Sequence, residues 1–210
     1  MHRFNNIAGK RNPLQVLLLI LSLTGSILFI LIYLILGIST PGYHLLYNTI
    51  SSLELTKFGW VQQANFILFG IFSSCFSVAL INELKPGINA FLVILFQSVT
   101  AIGLIGDGIF IHEPMHMIFD IITFNSVALV LIFMAGQFYK NTGWKGWSLY
   151  SIITAILMMV LLSAFGYANS HNGAAGLYER MAFLPRTAWS IVFITTLLRG
   201  KRLNRSVYSY

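Results

Sequence analysis

From Pro13 to Ile38 the chain runs for 26 residues without a charged side chain or a histidine. At about 1.5 Å of rise per residue, such a run crosses the roughly 30 Å hydrocarbon core of a bilayer as one helix. It is also far longer than the roughly 7–15-residue apolar stretch of a secretory signal, and no small-residue exit follows it. The sequence therefore predicts an uncleaved first span. Five more apolar runs follow: Trp60–Ile81, Ile88–Ile111, Met117–Tyr139, Ser148–Ala168 and Arg180–Leu198. The segments between them, NELKPG, HEPMH, KNTGWKGW and Asn169–Glu179, carry the Pro, Gly and polar residues that punctuate helices.

Composition agrees. Hydrophobic residues make up 57% of the 210 and charged residues 9%, against about 25% charged in an ordinary soluble domain. That balance excludes a soluble globular domain and a disordered chain. The single cysteine, Cys75, excludes an internal disulfide scaffold. The expected fold is all-α: an integral membrane bundle of six transmembrane helices over residues 13–198. An N-tail (1–12) and a basic C-tail (199–210) flank it, and a short interfacial helix follows the first span.

Orientation comes from the basic residues. With six spans, one side holds Arg3, Lys10, Arg11, Lys85, Lys140, Lys145, Arg199, Lys201, Arg202 and Arg205; the other holds Lys57, Arg180 and Arg186. Positive charge favours the cytoplasmic side, so the chain is expected in the cell membrane with both termini in the cytoplasm. The net charge of +7 then marks orientation and contact with anionic lipid. It predicts the bilayer as partner and no nucleic acid.

The few acids are unevenly placed. Glu54, Asp107, Glu113, Asp120 and Glu179 all fall on the predicted outer side, with His44, His112, His116 and His171; only Glu83 is inside. Asp107 lies 20 residues past Gly87, Asp120 lies 20 before Lys140 and Glu179 lies 20 before Arg199. Each is thus about 30 Å from the inner boundary, where acyl chains meet headgroups. Arg186 is expected about 10 Å deeper, paired with one of these acids, because a lone intramembrane arginine is costly.

Asp107 and Asp120 flank the hairpin GDGIFIHEPMHMIFD almost symmetrically, so they are expected to face each other. Two close carboxylates in low dielectric share a proton, bind a cation or pair with arginine. Gly103, Gly106 and Gly108 thin the helix around Asp107 and allow close approach. Pro114 suits the first helical position, with Glu113 near the helix's positive end. His116 and Asp120 are then i and i+4 on one face. Imidazole plus carboxylate oxygens suit a divalent metal such as zinc, with His112, His116 and Asp120 as ligands and Asp107, His116 and Asp120 as catalytic groups. A hydrogen-bonded polar cap, or a proton or ion pathway, fits the same inventory.

Two outer segments complete the candidate site. In the loop PGYHLLYNTISSLELTK the alternation of polar and apolar residues predicts an amphipathic interfacial helix from Tyr43 to Lys57. Its His44, Asn48, Ser51 and Glu54 would roof the acidic level and contact substrate. The stretch HNGAAGLYERMAFLPRTAW supplies Glu179, Arg180 and Arg186, the two arginines as an anion or phosphate clamp. The chain has no GxxxxGK[ST], GxSxG or HExxH motif.

PGYHLLYNTISSLE, the following NFILFG, the GDGIF–HEPMH hairpin and GLYERMAFLPRTAW together resemble the DUF998 family of prokaryotic multi-span membrane proteins. The resemblance implies a fold and a location but transfers no chemistry, because the family has no assigned activity. The outer His, Asp and Ser inventory is also similar to that of zinc-dependent membrane hydrolases of the alkaline ceramidase and progestin-receptor type, which carry one span more. The resulting expectation is an outer site that binds or processes a lipid headgroup or amphiphile. The alternative is a non-catalytic membrane protein, a small transporter or partner-regulating subunit, with a structural polar cap. Transport would need polar groups along a route inward, and Ser73, Ser74, Gln97, Ser98, Thr100, Asn125, Ser126 and Gln137 are neutral and scattered.

Overall fold

The computed structural model describes residues 11–203; Arg3, Lys10 and Arg205 lie outside them. Six long helices, α1 (Pro13–Ser39), α2 (Gly59–Ile81), α3 (Ile88–Ile109), α4 (Met115–Tyr139), α5 (Lys145–Ser170) and α6 (Ala175–Leu198), are joined by short connections. All six are long and apolar enough to cross a membrane, and no strand occurs among the described residues. This is an integral multi-pass architecture. Each helix packs mainly on its neighbours in sequence, and α6 returns to α1, so the six close into a ring. Lipid-facing positions are large and apolar, as at Ile35, Ile38, Trp60, Ile102 and Val160.

Local chemistry sets the helix ends. The Asn12 side chain accepts a hydrogen bond from the Leu14 N–H while Pro13 occupies the first turn, where its missing N–H costs nothing. At the start of α4, Pro114 is the N-cap rather than the first helical residue, and Glu113 Oε2 accepts from the Met117 N–H at 3.3 Å. Between α3 and α4, methyl groups on Gly103 and Gly106 would overlap Thr123 and the Phe119 ring. Their absence is what lets the two helices meet beside Asp107. In lipid, helices gain little from the hydrophobic effect against each other, and such close contacts carry the packing.

The two ends of the ring differ. At the basic end Trp144, Trp147, Trp189, Phe138 and Phe193 form an aromatic cluster. Beside it, buried Glu83 accepts from Arg11 Nε (2.6 Å), Gln15 Nε2 (2.8 Å) and Arg202 Nη1 (3.2 Å). Arg11 Nη1 also donates to the Leu197 carbonyl. One carboxylate thereby ties together the start of α1, the end of α2 and the segment after α6. Arg202, expected as a lipid-facing orientation signal, is committed to this node.

At the acidic end the structure corrects an expectation. Tyr43–Lys57 is not a continuous helix; turns lead into one 3-10 helix, Ser51–Leu55. The reason is competition for backbone groups. The N–H groups of Gly176 and Leu177, orphans of the first turn of α6, donate to the carbonyls of Tyr47 (3.2 Å) and Leu46 (2.9 Å). Arg180 and Glu179 take further backbone groups of this loop, which are then unavailable for an i to i+4 ladder. For the same reason α6 starts at Ala175, a turn earlier than the apolar run suggests.

Candidate metal and proton-transfer site

Three elements converge at the acidic end. Asp107 comes from the last turn of α3, His116 and Asp120 from the first turns of α4, and Glu54 from the 3-10 helix. Asp107, His116 and Asp120 each present one ligand atom, and these atoms all lie within 4.8 Å of one another. Cation-binding groups with three ligands from nitrogen and oxygen donors suit a divalent ion, with further positions left open. His116 Nε2 is 3.8 Å from Asp120 Oδ2, and His116 Nδ1 is 3.7 Å from Glu54 Oε2.

Orientation within the group is specific. His116 Nδ1 lies 3.0 Å from the Phe110 carbonyl, which can only accept. That contact places a proton on Nδ1 and turns Nε2 toward Asp120, the orientation in which an imidazole ligates a metal while held by an outer partner. Thr123 Oγ1 donates to Asp107 Oδ2 at 3.3 Å. Asp107 Oδ1, His116 Nε2 and both Glu54 oxygens are buried without a hydrogen-bond partner. Buried polar atoms are nearly always satisfied, so four unpartnered ones close together make this cluster the candidate site. The side chain of Asp120, 30% exposed, is the most accessible of these groups.

Glu54 sits outside the membrane-spanning helices and is 3% exposed. Burial, reinforced by the negative charges of Asp120 and Glu179, raises its carboxyl from 4.5 to about 8. It is therefore mostly protonated near neutrality and able to give or take a proton beside His116.

The other predicted site residues divide. Glu179 Oε2 accepts from the Ile50 N–H at 2.5 Å. Arg180 donates Nη1 to the carbonyls of Leu45 (2.8 Å), Asn48 (2.9 Å) and Gly176 (2.7 Å), and Nη2 to the Tyr43 hydroxyl (2.5 Å). These two side chains fasten the loop onto α6. The expected ion pair of Arg186 with Asp107, Asp120 or Glu179 does not form among the described residues; Arg180 turns its two terminal nitrogens to carbonyls and the Tyr43 hydroxyl rather than to an acid. Asn48 Oδ1 accepts from the His44 N–H, Ser51 Oγ pairs with Thr49 Oγ1, and the His44 side chain is exposed. His112 is exposed in the α3–α4 turn, and the close group of three contains Asp107 in its place. Sequence reasoning missed Thr123, four positions from Phe119 on the same face of α4, and Tyr43 as the partner of Arg180. The Gly103–Asp107 spacing was the available signal for the first.

Comparison with known proteins adds the family. Neither curated proteins nor solved structures give a match. A family model described as "Protein of unknown function (DUF998)" matches residues 23–196, a span that includes every group in this cluster. The chain belongs to the DUF998 family.

Proposed function

We propose that this protein binds a divalent cation such as zinc through Asp107, His116 and Asp120 and uses it to process a lipid headgroup or other amphiphile. In this reading the acidic end faces outward from the cell membrane and both termini are cytoplasmic. The carrying observation is the convergence of three ligand atoms within 4.8 Å with unpartnered buried atoms on Asp107, His116 and Glu54. A cation would satisfy the Asp107 and His116 atoms and polarise a substrate oxygen or a bound water. Glu54, held close to His116 and protonated near neutrality, serves as the proton donor and acceptor. Asp120, the most accessible of these groups, is where a headgroup in the interface would first meet the ion.

The test is turnover in mixed micelles containing headgroup-bearing amphiphiles, with zinc and with chelator. Metal-dependent release of a headgroup or acyl product, reduced at least about 100-fold in His116→Ala, supports the reading. No release under any metal condition, with wild type and variant alike, overturns the enzymatic part of it. A second reading has its own observation. The bonds of Glu179 and Arg180 to the loop give part of the polar inventory a fastening role, which favours a non-catalytic protein, a small transporter or regulatory subunit, whose polar cap is structural.

A further inference from the structure

Arg186 is the exception among the buried cations. It follows Pro185 in α6, is 9% exposed, and makes no hydrogen bond or ion pair with any described residue. Its guanidinium carbon lies over the Phe69 ring, 5.7 Å from the centroid. Arg180, six residues earlier, satisfies four contacts. Guanidinium does not deprotonate in proteins, and a buried charge without a counterpart is strongly unfavourable. Inside a membrane it must be neutralised by something near it.

Arg186 lines a cavity inside the bundle whose walls come from α2 to α6. Thr100, Thr123, Phe69, Phe124 and Phe183 line it with Arg186, and it holds about 10 Å³ of water-sized space. That is room for about one water molecule or one monatomic ion, and too little for a phosphate or a headgroup. Besides Arg186, the polar groups in this wall are the two threonine hydroxyls. Thr100 donates to the Phe96 carbonyl and Thr123 to Asp107, and both can rotate to donate into the cavity. A water would fill the space but supply no opposite charge.

We propose that this cavity binds one small monovalent anion of the halide class, held by Arg186 and the hydroxyls of Thr100 and Thr123. The site adjoins the divalent-cation site, with Thr123 touching both, but it takes an ion of opposite charge and does not need a bound cation. The anion completes the neutralisation of the bundle interior at the level of Arg186.

The experiment uses the full chain in detergent with chelator present, so that its outcome does not bear on the cation site. Thermal denaturation is followed while sodium gluconate is replaced by sodium chloride or bromide at constant ionic strength. Saturable stabilisation by either halide, lost in Arg186→Met, and a bromide anomalous peak beside Arg186 are expected. Should Arg186→Met fail to fold, Thr100→Val decides: it should move the halide midpoint upward by about tenfold, one lost hydrogen bond to a charged group. Superimposable curves in halide and gluconate, with only water in the cavity, would overturn the proposal.

Discussion

Arg180 and Arg186 lie on one helix, six positions apart, and the structure gives them opposite circumstances. Arg180 spends its donors on three carbonyls and a phenol; Arg186 has none of these. Arg180→Gln should therefore lower stability by about 3 kcal/mol, the scale for breaking a buried charged network, measured by thermal or denaturant unfolding in detergent. Arg180→Lys should not restore it, because a point charge cannot serve the same fan of acceptors. Glu54 gives a pH prediction. Unfolded, it titrates near 4.5, and folded near 8. Between those values the native state keeps a proton that the unfolded chain has released, so stability falls as pH rises through that window and levels off above it. Facing groups are Asp120 and Glu179, which add to the effect, and His116. In chelator, the melting temperature should drop from pH 5 to pH 8 more steeply in wild type than in Glu54→Gln. Equal slopes would remove Glu54 from the account.

The elements were readable in sequence wherever the signal was local. Apolar runs and their Pro, Gly and polar punctuation placed all six helices within a few residues, because a lipid-spanning helix must satisfy its own backbone and needs length above all. Tyr43–Lys57 was misread for the converse reason. Its amphipathic alternation is real, but its carbonyls and N–H groups are claimed by α6 more than a hundred residues later, a claim no local window contains. The pairing of Asp107 with His116 and Asp120 was partly legible, since hairpin symmetry and the glycines pointed to it. The place of Glu54 beside His116 was not, because it depends on how the loop is fastened. Gly106→Val tests the helical part: the added atoms meet the Phe119 ring and push α3 from α4. Cation affinity should fall at least about tenfold, one order for a first ligand shell misplaced by steric expansion, while circular dichroism keeps its helical content.

For the whole molecule, the ring separates two tasks by height. Glu83 gathers Arg11, Gln15 and Arg202 at the basic end, and the carboxylate–imidazole cluster occupies the acidic end. The tasks should be independent. Glu83→Gln should cost about 3 kcal/mol by stranding buried arginine yet leave bound cation per chain unchanged, as distant sites without shared partners generally add. The central claim is that the acidic end holds a divalent ion, and elemental analysis of detergent-purified protein tests it most directly. The account predicts about one divalent metal per wild-type chain, as expected for a single site of this ligand set, and none in the His116→Ala, Asp120→Ala variant. Wild-type protein that stays metal-free after incubation with zinc and dialysis, and that melts at the same temperature with and without the ion, would contradict it.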